Sequence, residues 1–411
     1  MGHNGNSYYI GIDLNDSYAM VSYFQQNMKE PETVSTVAGS EEFQIPLVLA
    51  RRKSIGKWYY GDEARRLSKS GEMVCIDQLL KRALNSEKIV IDDDSFMAEE
   101  LLTLFLKKVM ELPSKLGNPS SFDRLVICVD RLTKENVSMF YGMAVRLGIN
   151  SRQLTVVDRK ESFYYFALNQ DKSLWLHDVV MFMQEKESIF FYSLKRDLRT
   201  TPQVVSIDES ISYTLDKNDK DKSFLDIINE SFKNQIISTV FLVGDTFAEG
   251  WMKQSVALLC KGRVFMGNNL FTKGACYAAA TRDKEAEWPF VYMGENEMKF
   301  NLSLKVHDKG ELSFYNLISA GSNWFESKGQ CEVIISGSYE VDFWKQLPKS
   351  REAKIETLRL TDMPPRPDRA TRIRITATPV SDDRIDIEIK DLGFGEIFMS
   401  SGKVWHYEMT M

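Results

Sequence analysis

The hydrophobic periodicity of the chain changes once, near residue 290, and that change limits the fold more than any single motif does. Before it, apolar runs of strand type alternate with segments whose apolar residues recur at helical spacing. Arg124-Leu-Val-Ile-Cys-Val129 is a short β-type run. Val137, Phe140, Tyr141, Ala144 and Leu147 then share one helical face, with Thr133 placed as N-cap and Gly148 at C′. A strand over 154–157 and a helix over 161–169 complete a βαβ unit, which favours an α/β sheet. Strands over 8–12, 19–24, 47–50, 179–183, 188–194 and 239–243, helices over 97–112 and 224–237, and a closely packed small-residue helix over 274–280 extend the pattern. Beyond the change the signal is nearly all β. Arg372-Ile-Arg-Ile-Thr-Ala377 and Arg384-Ile-Asp-Ile-Glu-Ile-Lys390 alternate strictly, which buries Ile373, Ile375, Ile385, Ile387 and Ile389. Asp382-Asp383 turns between them, making a hairpin on which Arg372 or Arg374 meets Asp386 or Glu388 across the ladder. The charged run 281–287 marks the boundary, giving domains over 1–285 and 286–411.

With 411 residues and 43% apolar composition the chain can bury the cores of two or three domains. A net charge of −6 with both signs interspersed argues against nucleic acid as a partner, and Arg51-Arg52-Lys53 and Arg65-Arg66 read as solvated faces. Cys75, Cys128, Cys260, Cys276 and Cys331 are odd in number and scattered, which suits reduced thiols in a cytoplasm. Residues 1–6 lack the pattern of a signal peptide, and no apolar run approaches the roughly 20 residues of a membrane span. No P-loop, nucleophile elbow or zinc-ligand spacing occurs, and His3, His177, His307 and His406 are isolated.

The stretch Ile10-Gly11-Ile12-Asp13-Leu14-Asn15-Asp16-Ser17 is a strand that ends in an aspartate and a tight turn. Further on, in order, come Ile45-Pro46 with Gly61-Asp62-Glu63-Ala64, Leu80-Lys81-Arg82, the segment 124–168, Val243-Gly244-Asp245, the helix 274–280, and the tail segments Leu360-Thr-Asp-Met-Pro-Pro365 and Asp391-Leu-Gly-Phe-Gly395. Taken in that order these pieces resemble the DnaK-type heat-shock chaperones, whose nucleotide-binding half shares its fold with actin and the sugar kinases. The resemblance implies an α/β actin-like two-lobed ATPase fold followed by a β-sandwich-like substrate-binding domain. It places Asp13, Asn15, Asp16, Ser17, Gly244 and Asp245 around a nucleotide, ATP or ADP, with Asp13 toward its Mg²⁺. Lys81 and Glu161 fall at the positions that act in hydrolysis. Read on their own, the same residues have plainer roles: Asp13 as a helix or turn cap, Lys81 as a solvated helix lysine, Glu161 as an N-cap carboxylate, Gly244 as a backbone requirement.

The departures from that family bear on activity. The family's second phosphate loop is rich in glycine, whereas the turn here, Phe182-Met183-Gln184-Glu185-Lys186-Glu187, has none. All three anion-facing turns carry an acid: Asp16, one of Glu185 or Glu187, and Asp245. Two like charges about 5 Å apart at an effective dielectric near 20 repel by roughly 3 kcal/mol, and a triphosphate multiplies the effect. Between Met183 and Val243 there is no length for the subdomain that clamps adenine in the family, and the chain ends at Met411 without a helical lid. The expectation is a chaperone-related protein with degenerate phosphate loops that binds a protein or peptide partner and hydrolyses little or no ATP. An active ATP-dependent chaperone or actin-like ATPase is the alternative, and a small-molecule kinase a weaker third. Phe314, Tyr315, Trp324 and Phe325, around a Ser-Ala-Gly-Ser turn, are either sandwich core or the rim of a peptide site. The run Phe163-Tyr-Tyr-Phe166 buries some rings and leaves others near a groove.

Overall fold

A computed structural model describes residues 7–411 apart from 38, 53–55, 70, 72, 92, 210–211, 234, 261, 285–286 and 309. The N-terminal segment 1–6 with His3, Lys53 of the basic run and the 285/286 boundary therefore lie outside the described residues. The chain forms two compact units, Met1–Lys195 with Ile207–Trp288, and Arg196–Ser206 with Pro289–Met411.

The first unit is mixed α/β. Its first sheet runs in the order Leu154–Asp158, Arg124–Val129, Tyr8–Leu14, Tyr18–Gln25, Glu32–Thr33, with Ile45–Pro46 also on Tyr18–Gln25. Tyr8–Leu14 is antiparallel to Tyr18–Gln25, because a short turn joins them, and parallel to Arg124–Val129, which needs a long crossover. A second sheet repeats the order: Arg263–Met266, Ile237–Val243, Asp178–Glu185, Ser188–Asp197, then Gln203–Glu209, whose residues 207–209 lie in this unit. In both, a meander places its first strand beside two further parallel strands. The three parallel strands of each sheet therefore end along one edge, and the turns that follow them converge there.

Helix Leu270–Asp283 packs directly on the first strand. Thr272 donates its hydroxyl to the carbonyls of Gly11 (3.0 Å) and Met20 (3.1 Å), and Ser162 donates to Phe271 O at 2.6 Å. The small residues of this helix matter because a Cβ at Gly274 would stand 2.2 Å from Ser162 O, a backbone atom that cannot swing away. Gly274→Ala is therefore expected to force the two helices apart and cost about 3 kcal/mol, measured by thermal denaturation followed by circular dichroism. Other sequence expectations fall close to the observed elements. Thr133 caps helix Lys134–Leu147 by accepting from Asn136 N, and Gly148 closes it at φ 79°. The helix expected over 161–169 begins earlier, at Arg159, because Asp158 is the residue that caps it. The helix expected over 224–237 spans Lys220–Ser231 and packs Phe224 and Ile228 on Phe182 and Leu242 of the second sheet; Asn234 of the expected span is outside the described residues.

The second unit is all β. Two four-stranded sheets face one another: Glu311–Ile318, Asn301–Asp308, Glu340–Gln346, Lys354–Arg359, and Gly329–Ile334, Arg372–Pro379, Arg384–Gly393, Val404–Thr410. Phe300, Leu302, Leu304 and Phe343 from one side and Ile373, Ile375, Ile385, Ile387, Ile389 and Met409 from the other form its core, as strict alternation dictates. Gln203–Val205 also pairs in parallel with Phe290–Tyr292 inside this unit. The hairpin 372–393 forms, but its expected ion pairs do not. The register sets Arg374 opposite Lys390 and Thr376 opposite Glu388, so Arg374 turns to Glu332 of the other neighbouring strand at 2.7 Å. Among the described residues no helix is long and apolar enough to cross a membrane, and all five cysteines are free thiols.

Candidate functional site

The converging strand ends of the first unit bring together one cation and three acids. Tyr8–Leu14 delivers Asp13, the residue after Arg124–Val129 is Asp130, Leu154–Asp158 passes into the helix that starts with Arg159, and Asp178–Glu185 ends in Glu185. Arg159 Nη2 lies 2.8 Å from Asp130 Oδ1, its Nε 3.7 Å from Asp13 Oδ1, and its Nη1 3.8 Å from Glu185 Oε1. The same guanidinium donates to the Tyr18 hydroxyl at 3.3 Å and sits 5.0 Å from the centre of the Phe271 ring. It is a planar cation held on one face by an aromatic ring and at its rim by oxygens.

Asp13 is fully buried, and neither of its carboxylate oxygens has a hydrogen-bond partner among the described residues. Burial pushes its carboxyl up to about 6, with Arg159 pulling down and Asp130 pushing up. Burial acts against the Arg159 charge as well, but Asp13 and Asp130 outweigh it and hold the guanidinium protonated. A carboxyl whose folded-state value exceeds the ordinary one of about 3.9 stabilises the fold below that value and loses the contribution as pH rises through about 6. Asp13→Asn is thus expected to raise stability at pH 7 by about 2–3 kcal/mol, a gain that shrinks to nothing by about pH 4. Urea denaturation of both proteins at pH 4, 5, 6 and 7 measures it.

The turns around this cluster are bonded to themselves. Asn15 Oδ1 accepts from the N–H groups of Ser17 (2.8 Å) and Tyr18 (3.0 Å). Asp16 Oδ1 accepts from Lys81 N at 2.8 Å, so the lysine meets the first turn through its backbone while its side chain is exposed. Gly244 adopts φ 130°, where a Cβ would stand 2.5 Å from Gln184 Cβ, which bears out the backbone requirement read from the sequence. Its N–H donates to Asn268 Oδ1 (2.9 Å), Asn268 Nδ2 donates to Asp245 (2.6 Å), and Gln184 Oε1 accepts from Thr246 N (2.8 Å). Ser17, Tyr18, Asp245 and Asn268 line a cleft of about 410 Å³ whose other charged groups among the described residues are Glu41, Glu42, Asp62 and Arg65.

Of the residues singled out from sequence, Asp13, Asn15, Asp16, Ser17, Gly244 and Asp245 lie on these neighbouring turns, and Glu185 is the acid of its turn that reaches the cluster. Glu187 instead pairs with Lys217 at 2.8 Å. Glu161 is neither an N-cap nor in the cluster; it is buried and bound to Arg282 at 2.6 Å. The glycine-free turn closes with Lys186 at φ 56°, so a lysine takes the left-handed conformation expected to need glycine. Sequence reasoning missed Arg159, Asp130, Asn268 and Gln184. A signal existed for Arg159, an arginine at the end of the third parallel strand, but a helix start placed at residue 161 hid it inside the preceding turn.

Residues 30–295 match a family described as a family of unknown function (DUF5716), C-terminal. The chain belongs to this family. Residues 297–411 match a domain of unknown function (DUF8552), so the two matches meet beside the change of hydrophobic period. No curated protein matches the chain.

Proposed function

We propose that the first unit is a divergent actin-like body related to the DnaK-type chaperones, and that it serves as a rigid scaffold rather than an ATPase. The repeated order of its two sheets supports the fold half of that reading. The guanidinium of Arg159 carries the functional half. An internal cation occupies the place beside Asp13 where the family's Mg²⁺ and phosphates would act, and it is already shared among three acids. The backbone donors that would receive phosphate at Ser17, Tyr18, Gly244 and Thr246 are taken by side chains, and the adjoining cleft is predominantly acidic. These residues do not suit a Mg²⁺–nucleotide. Isothermal titration of the full chain with Mg²⁺–ATP is expected to show no binding at about 1 mM, a weak-binding limit near −4 kcal/mol. A micromolar isotherm abolished by Asp13→Ala would overturn this reading in favour of the nucleotide-binding one.

The second unit is, in this proposal, the binding module, and its partner an extended peptide or protein segment. Glu311–Ile318 is the end strand of its sheet, and Leu312 and Phe314 on it are more than half exposed. The Leu312–Phe314 part of this edge, away from Leu317 where Gly329 abuts it, carries apolar side chains and suits strand addition. A peptide array probed with the full chain is expected to select extended apolar sequences and to lose them with Phe314→Asp; uniform silence would remove the proposal. Five free thiols suit a reducing cytoplasm as the place of action.

A further inference from the structure

We propose that a pocket in the first unit binds a free α-amino acid with a large apolar side chain. Helix Arg159–Leu168 covers strand Ile237–Val243, with Phe163 and Phe166 both edge-on to Phe241 at 6.1 and 5.4 Å. Beyond it lies the last strand of the sheet, Arg263–Met266. There Phe265 stacks on Phe241 at 5.5 Å yet remains 44% exposed. The space left between these rings, Leu270 and the start of helix Leu270–Asp283 is about 250 Å³. That lies below the roughly 300–1,000 Å³ usual for cofactor and drug-sized ligands and above the ~150 Å³ cavity that admits benzene, so it suits one ring or branched chain with a short polar end.

The polar groups at the same pocket have two signs. Lys273 Nζ stands 3.2 Å from Glu30 Oε2, with Glu30 largely exposed. Asn269 lines the pocket and donates its Nδ2–H to Thr33 Oγ1 at 3.0 Å, which leaves its carbonyl oxygen as the acceptor of that amide. A cation and an anion one hydrogen bond apart beside a lining of rings complement a zwitterion. The ligand carboxylate goes to Lys273, its ammonium to Glu30 and Asn269 Oδ1, and its side chain onto Phe166, Phe241 and Phe265. Opening the Lys273–Glu30 pair is easy because a pair with one exposed partner is weakly held, and both charges regain an opposite partner from the ligand. A purely apolar ligand would leave that pair unused, and an anion or cation alone would satisfy one half and strand the other. The site is separate from the Arg159 cluster and does not depend on the reading of that cluster.

The test is isothermal titration of the full chain with L-phenylalanine and L-leucine, set against 3-phenylpropionate and phenethylamine, which each lack one charge. Saturable binding is expected for the amino acids, weakened about tenfold or more by loss of either charge, as charged hydrogen bonds predict. Phe265→Ser should weaken binding by about tenfold while lowering the melting temperature only modestly, since that ring is 44% exposed, and Lys273→Gln should erase the preference for amino acid over phenethylamine. No binding of either amino acid at about 10 mM, below any affinity of physiological use, would overturn the proposal. Equal binding of the three phenyl compounds, or an unaltered affinity in Phe265→Ser, would do the same.

Discussion

Arg366→Ala is expected to destabilise the β unit by about 3–5 kcal/mol, the cost of leaving one buried charge without its partner. Arg366 holds Asp391 with two parallel bonds of 2.8 Å, the side chains being 3% and 0% exposed. Asp391 also accepts from Gly393 N, Ser401 N and Ser401 Oγ, and Arg366 Nη2 reaches Met399 O. One ion pair therefore fixes the proline-rich segment around 364–367 to the loop that follows strand Arg384–Gly393. Burial alone would raise the Asp391 carboxyl, but Arg366, Ser401 and Gly393 hold it far below the ordinary carboxylate range. A depressed folded-state value stabilises at pH above the unfolded value of about 3.9 and loses that contribution as pH falls below it. The Arg366→Ala penalty should thus be full at pH 7 and shrink below about pH 4. With a urea slope of about 1–3 kcal/mol per molar, it corresponds to a midpoint shift of roughly 1–5 M.

Arg159→Ala should destabilise the first unit as well, by less at pH 7 and with its pH dependence in a different window. The substitution leaves fully buried Asp13 beside Asp130 without the cation they share, and because that carboxyl can escape ionisation by binding a proton, its share of the cost at pH 7 is limited to about 1–2 kcal/mol. Asp13 already titrates near 6 with the arginine in place, and without it the carboxyl moves higher still. Lowering pH from 7 to 5 then neutralises the stranded group, so acid restores much of the lost stability. The opposite directions separate the two arginines: acid rescue begins above pH 5 for Arg159→Ala and below pH 4 for Arg366→Ala. Combining Arg159→Ala with Asp13→Asn should recover most of the loss at pH 7, and denaturation of the single and double variants reads the coupling.

The elements were more legible in the sequence than the site. Alternation in 372–390 fixes the inward isoleucines because a period of two leaves no freedom, and Thr133 with Gly148 fixes a helix because each has a particular capping geometry. Ion pairs across the hairpin were not legible. They depend on which neighbouring strand a side chain meets, and Gly329–Ile334, remote in sequence, supplied Glu332 as the partner of Arg374. The turn residues Asp13, Asp16, Gly244 and Asp245 could be placed since each ends a readable strand. Their chemistry could not, because it is set by Arg159, Asn268 and Gln184, whose side chains arrive from other elements. Counting acids suggested three repulsive turns. In the folded chain Asp245 is bonded by Asn268, Asp16 accepts from Lys81 N, and Glu185 faces an arginine, so the acids serve the protein's own contacts.

In the scaffold proposed above, Arg159 fills the place beside Asp13 that a metal–nucleotide would need. A crystal structure of the protein grown with millimolar Mg²⁺ and a non-hydrolysable ATP analogue tests it most directly. The Arg159 guanidinium is expected still to bridge Asp13 and Asp130, with no triphosphate between the turns. Density for a triphosphate and a Mg²⁺ liganded beside Asp13, with Arg159 swung away, would contradict it.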